Sequence, residues 1–248
     1  MAHSLGYSGD DPYLTRLAGA ATLGYAVALA FAVWQGSWLE ARFVVVATLV
    51  YSLGALFACG IAFASSVALP IVTVIVANSL MELVICLWLL YHFRHVHGGW
   101  PDIPRSGVVL VVIATSAALV TGLPAWLVPQ PIGHLLGYRI TDAIILTLAG
   151  AATCGYAAMG ALELRSRSWA EMRLPVLMAM IFNGAGLLAT VVSLFGGGPS
   201  LLPLVVLWAT VIVTPGAFIA LRRFGLAESR ASVSAAGLAE AGSGASVA

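Results

Sequence analysis

The sequence predicts an all-α integral membrane protein: seven transmembrane helices in a three-plus-one-plus-three plan, with two parallel three-helix repeats. Three observations predict it. Of the 248 residues, 61% are hydrophobic and 8% charged, where soluble domains carry about 25% charged residues. The apolar residues gather into seven blocks, each near the ~20 residues that a helix needs to cross a bilayer. Finally, the ten residues LAGAATLGYA at 17–26 return as LAGAATCGYA at 148–157.

The first block, 13–34, opens after Asp11 and Pro12, an N-cap followed by proline at the first helical position. The polar start has its first Arg at position 16 and lacks the basic region of an export signal, so this block is expected to stay as a helix. The second block, 43–64, follows SWLEAR at 37–42. There Trp38 suits a membrane interface, and Glu40 can pair with a nearby Arg. The third, 68–91, carries Glu82, and the fourth, 107–128, has no counterpart elsewhere in the chain. The fifth, 142–163, rewrites the first, with Asp142 in the place of Asp11. The sixth, 174–195, follows SWAEMR at 168–173 with Trp169 and Glu171, and the seventh is 201–221. Repeat 1 then spans 1–95, the linker helix with its loops 96–133, and repeat 2 134–225. The Ala-, Ser- and Gly-rich stretch 226–248 is expected to be a disordered cytoplasmic tail.

The duplication extends well beyond ten residues. Between 3–42 and 134–173, 19 of 40 positions are identical, and a shift of two then aligns LP at 69–70 with LP at 202–203. Such self-similarity marks a duplicated structural unit. Three helices are an odd number, so a direct second copy would be inverted; the linker helix turns it back. Ala20 with Gly24, and Ala151 with Gly155, put small residues four apart, which suits close helix approach in lipid. Parallel repeats place a substrate near the midplane between the halves. The plan is similar to that of the SWEET sugar transporters. Their Pro-Gln signature is not in its place: Pro129-Gln130 follows the linker helix, and neither repeat's first apolar block, 13–34 or 142–163, contains Pro. The likeness is architectural and assigns no function.

Every fixed cation is Arg, since the chain has no Lys. Arg42, Arg94, Arg105, Arg165, Arg167, Arg173, Arg222, Arg223 and Arg230 fall on one side in this plan, and Arg16 and Arg139 on the other. The positive-inside rule then predicts a cell (inner) membrane protein with its N-terminus outside and its C-terminus cytoplasmic. Cys59, Cys86 and Cys154 lie within apolar blocks, where they pack as small hydrophobes.

Glu82, in VANSLMELVICLW, breaks the apolar pattern. An acid at mid-helix costs roughly 2.5–3.5 kcal/mol on insertion scales, which makes it the candidate proton carrier or catalytic acid. Asn78 and Ser79 lie four and three residues earlier, on the same helical face. The aligned position in the second copy is Pro215, beside Thr214, so the site is expected to be asymmetric. Asn183, aligned with Ser52, and Trp208 and Thr210 from the seventh block are candidates to line the same cavity. Core hydrogen bonding accounts for these equally well.

His3 with Asp11, and His134 with Asp142, would stand symmetrically on the outer face, but two ligands per half fall short of a metal site. The run HFRHVH, with His92, His95 and His97 before Asp102, reads first as juxtamembrane cations. No metal and no cofactor are assigned. Without Lys there is no retinal Schiff base, and no haem-binding His pair, P-loop, Cys-x-x-Cys or serine elbow is visible. No basic stripe supports nucleic-acid binding. The expected partners are the lipid bilayer and a small-molecule substrate, and a homo-oligomer is compatible with the sequence.

Three functions remain. A small-molecule transporter, with protons carried by Glu82, explains the duplication and the lone acid. A membrane-embedded enzyme would use Glu82 as the acid on a lipid or isoprenoid substrate. NSLMEL resembles the Asn-x-x-Trp-Glu-Phe stretch of the membrane-bound terpene cyclases, over six residues, without the Trp and in the third helix instead of the second. A sensor or scaffold is the third class.

Overall fold

The structure is a computed structural model that describes residues 12–64, 69–96, 105–136, 144–166 and 169–196, with the single positions Val206, Gly216, Ile219 and Arg223. Among the described residues the chain is all helical: α1 (Pro12–Gln35), α2 (Trp38–Ala64), α3 (Leu69–His92), α4 (Arg105–Leu127), the short α5 (Pro129–Leu135), α6 (Ile144–Ser166) and α7 (Trp169–Phe195). All but α5 are long and apolar enough to cross a membrane. Large apolar side chains also cover the outside, such as Val84 and Trp88 on α3 and Ile113 and Val120 on α4. In water such a surface would aggregate, whereas lipid accepts it provided every backbone group is bonded within its helix. The chain is an α-helical, multi-pass membrane protein. The seventh apolar block, Asp11, Asp142 and the tail from 226 lie outside the described residues, except for the single helical positions just named.

The boundaries follow the chain's punctuation. Helix α1 starts on Pro12, whose fixed φ suits a first helical position, and stops before Gly36, which takes a left-handed φ of 64°. Helices α2 and α7 begin earlier than the apolar blocks indicate, because SWLEAR and SWAEMR form their first turns. The charged side chains there need no lipid-compatible surface, since they are paired as described below. Helix α1 ends at Gln35 and α6 at Ser166, while α2 and α7 both begin and end 131 residues apart.

Helices α2 and α6 form the centre. Helix α6 packs against both α2 and α4, α1 lies along α7, and α3 packs on the other flank of α2. Neighbours run antiparallel: Tyr13 at the start of α1 bonds Thr190 near the end of α7 at 3.1 Å, and Cys59 near the end of α2 meets Val72 near the start of α3. Helices α1, α3 and α6 therefore run one way, and α2, α4 and α7 the other. Helix α4 approaches α6 through glycine. A Cβ on Gly122 would stand 2.9 Å from Thr153, and one on Gly150 would stand 2.8 Å from the Gly122 carbonyl. All three cysteines are buried and free.

Contacts within and between the two halves of the chain recur at the spacing of the sequence repeat. Tyr25 stacks on Tyr51 with centroids 5.5 Å apart, and Tyr156 stacks on Phe182 at 5.1 Å, each residue 131 positions from its counterpart. A Cβ on Gly24 would meet the Tyr156 hydroxyl and the Met178 carbonyl; one on Gly155 would meet the Tyr25 hydroxyl and the Ala47 carbonyl. Where LAGAAT.GYA repeats, each copy thus supplies the groove for the other copy's tyrosine.

Candidate functional site

Glu82 sits about midway along α3, roughly 15–20 Å from either end at 1.5 Å per residue. Both of its oxygens are bonded. Ser52 Oγ of α2 donates to Oε2 at 2.8 Å, and Asn78 Nδ2, one turn earlier on α3, donates to Oε1 at 2.7 Å. The i, i+4 spacing places Asn78 beside the acid, and the antiparallel packing of α3 on α2 brings in Ser52. Among the described residues, the ion pairs of Arg42 and Arg173 go elsewhere and none reaches Glu82.

The acid opens on a cavity of about 260 Å³ between α1 and α3, floored by α2 and α6. Helix α1 gives it the stripe Ala18, Thr22, Tyr25, Ala26 and Leu29, spaced three and four apart and so on one face. Helix α2 contributes Thr48 and Tyr51, α3 contributes Ile75 and Glu82, and α6 contributes Leu148, Ala149 and Ala152. Most of the polar atoms are already engaged. Thr22 donates to Ala18 O at 3.1 Å, Thr48 to Val44 O at 2.9 Å, and Tyr25 to Ala152 O at 3.0 Å. Among the described residues that line it, Glu82 is the one charged group, and the others are apolar, aromatic or threonine.

Of the residues that the sequence singles out, the structure joins Asn78 and Glu82 and adds Ser52. Ser79 is buried on α3 but does not line the cavity. Asn183 donates to Ala179 O of its own helix at 2.7 Å and does not line the cavity either. Trp208, Thr210, Thr214 and Pro215 lie outside the described residues. Tyr25 and Tyr51 were not anticipated, although Tyr25 stands in the repeated decapeptide and could have been flagged there. Glu163, buried near the end of α6, is a second acid that escaped notice because it closes an apolar block instead of interrupting one.

At the end of the bundle holding Arg42 and Arg173, the repeated SW.E.R stretches pair across the two halves. Arg42 Nη2 lies 2.7 Å from Glu171 Oε1, and Arg173 Nη1 lies 3.9 Å from Glu40 Oε1. The sequence suggested pairing with a nearby Arg. Residues two apart on a helix point to opposite sides, so Glu40 cannot serve Arg42, nor Glu171 Arg173. Ser166 donates to Glu171, and Gln35, with its amide turned, links Glu40 and Arg173. Trp169 is buried with Met172 against Val108 and Val111 of α4, and Trp38 stacks on Phe93 at 5.0 Å. Trp169 is packed into the bundle, and Trp38 is half-buried against it.

His92 stacks on Trp88 with centroids 5.3 Å apart, and His95 accepts from Arg94 at 2.9 Å. His134 is exposed on α5, while His3, His97 and Asp102 lie outside the described residues. No protein-family model, curated protein or solved structure matches the chain.

Proposed function

We propose that this protein is a small-molecule transporter coupled to protons, with Glu82 as the proton carrier and the adjoining cavity as the substrate site. The observation that carries the reading is the setting of Glu82: an acid half-way across the bundle, held by two neutral donors, opening on a chamber lined from both halves of the chain. The arrangement tolerates either protonation state. The ionised carboxylate accepts from Ser52 and Asn78. On protonation at Oε2, Oε1 still accepts from Asn78, and the Ser52 hydroxyl turns from donor to acceptor. Neither bond is lost, so a proton can come and go without rebuilding the site.

The transport reading includes two parallel repeats related by an axis along the membrane normal, with α4 as the linker helix. Support comes from the contacts that recur 131 residues apart and from the shared direction of α1 and α6. Repeat interfaces at the midplane are where such transporters hold substrate. The positive-inside rule orients the bundle with the Arg42, Arg94, Arg165 and Arg173 end in the cytoplasm and Arg16 outside. In that orientation the paired SW.E.R stretches close the inner end.

Reconstitution into liposomes loaded with a pH-sensitive dye tests the function. Solutes drawn from small amines, amino acids, sugars and carboxylates are added outside under an imposed pH gradient. The expected result is proton movement that depends on one class of solute and is absent in Glu82→Gln. Wild-type protein that moves no protons with any class would overturn the proposal.

A further inference from the structure

We propose that the cavity takes an organic cation: an amine or quaternary ammonium with small apolar substituents, bound to the ionised form of Glu82. The proposal rests on reading the Glu82 cavity as the substrate site and names the substrate's chemistry. Its first ground is charge. Among the described residues, Glu82 has two neutral hydrogen-bond donors and no cationic partner, and no Arg or His lines the chamber. A carboxylate away from water gains most when a positive charge completes what neutral donors supply only in part. An anionic substrate would add repulsion instead.

The second ground is the aromatic wall. Tyr25 and Tyr51 both line the cavity, stacked with centroids 5.5 Å apart and an interplanar angle of 28°. Ring faces attract cations, and quaternary ammonium ligands are typically held by such surfaces. The stack is fixed at its far side, since Tyr25 also meets Tyr156 edge to face at 5.5 Å.

The third ground is the scarcity of free hydrogen-bonding groups. A sugar needs many partners, but the hydroxyls of Thr22, Thr48 and Tyr25 already donate to backbone carbonyls. An ammonium with methyl or ethyl arms needs few, and Leu29, Ile75 and Leu148 offer it apolar contact. The cavity of about 260 Å³ has room for about eight water-sized groups, enough for such an ion. Because cation and proton would compete for the same carboxylate, the two would exchange across the membrane.

Equilibrium binding to purified full-length protein tests the inference without any gradient. The probe is tetraethylammonium chloride, compared with choline chloride and with choline's neutral isostere 3,3-dimethylbutan-1-ol, at constant ionic strength, read by calorimetry. Saturable binding of an ammonium is expected, at least tenfold tighter than that of the alcohol and weaker as the pH is lowered. Glu82→Gln should abolish it, Tyr51→Phe should keep it within about twofold, and Tyr51→Leu should weaken it about tenfold. The inference is overturned if neither ammonium binds to wild-type protein, if the alcohol binds equally well, or if Glu82→Gln binds the ammonium unchanged. The result is separable from the transport proposal. Ammonium binding without flux in liposomes would sink transport and leave the cation site standing. Glu82-dependent flux of a neutral or acidic solute, with no ammonium bound, would do the reverse.

Discussion

Tyr25 of α1 and Tyr156 of α6 meet edge to face at the centre of the bundle, with ring centroids 5.5 Å apart and an interplanar angle of 66°. They are the same residue of the repeated decapeptide. Each lies over the glycine that precedes the other, so one contact joins the two copies through a pair of reciprocal grooves. Buried aromatic pairs contribute about 0.5–1.5 kcal/mol beyond the area they cover. The tyrosines differ in one respect: Tyr25 donates to Ala152 O, whereas the buried Tyr156 hydroxyl has no hydrogen-bond partner among the described residues.

That geometry predicts the effect of filling the grooves. Gly24→Leu and Gly155→Leu should each lower the yield of folded protein and the midpoint of thermal unfolding in detergent. Overpacking typically costs about 1–3 kcal/mol, and here the obstruction includes backbone carbonyls of Met178 and Ala47, which cannot rotate away. Gly19→Leu is the control, since no described residue lies within 4 Å of a Cβ there. Equal tolerance at all three positions would show that the repeated surface does not pack as described.

The two reciprocal ion pairs should differ in weight. Glu171 is almost fully buried, with 3% of its side chain exposed, and its partner Arg42 stands at 2.7 Å. Removing one member of a fully buried pair typically costs about 3–5 kcal/mol; Arg42 keeps 29% of its side chain exposed, so the loss of Glu171 should cost less, about 2 kcal/mol. Arg173 and Glu40 are 3.9 Å apart and more exposed, so their loss should cost about 1 kcal/mol or less. Thermal unfolding of Glu171→Ala against Glu40→Ala reads the difference. A larger loss in Glu40→Ala would contradict the assignment.

Topology yields a third prediction. On a background with Cys59, Cys86 and Cys154 replaced by Ala, single cysteines at Leu135 and His95 should label from opposite sides of the membrane. Helix α4 separates them, and Leu135 on α5 and His95 beyond α3 are both exposed. In the proposed orientation Leu135 is reached from outside. Labelling of both from one side would mean that α4 does not span.

Six of the seven apolar blocks reappear as helices within five residues of their sequence limits, because lipid demands long uninterrupted apolar helices and the sequence cannot hide them. Glu82 was legible for the same reason, as the acid that interrupts such a block, and Asn78 followed from helical spacing. What the sequence withheld is helix rotation and partner choice. Nothing in the chain order says that Glu171 serves Arg42 across the bundle, or that α2 presents Ser52 and Tyr51 to α3. Asn183 shows the limit from the other side. Its position aligned with Ser52 suggested a cavity, yet its amide is satisfied by Ala179 one turn back, an option open to any Asn in a helix.

The last prediction concerns Glu82 itself. Glu82→Gln keeps the shape of the side chain and an oxygen to accept from Ser52 or Asn78, so folded yield and unfolding midpoint should stay close to wild type. The amide has no transferable proton, so proton-coupled flux in liposomes should fall below detection. Asn78→Ala removes one of the two donors. A hydrogen bond to a charged group contributes about 1.5–3 kcal/mol, so flux should persist but weaken. Ser52→Ala should act similarly through the other oxygen, and the double variant should be worse than either alone if both donors serve the same carboxylate. A purely structural Glu82 predicts the opposite pattern: Gln functions fully, and Glu82→Leu loses stability because Ser52 and Asn78 are left without an acceptor. Full flux in Glu82→Gln would remove the acid from the proposed transport cycle.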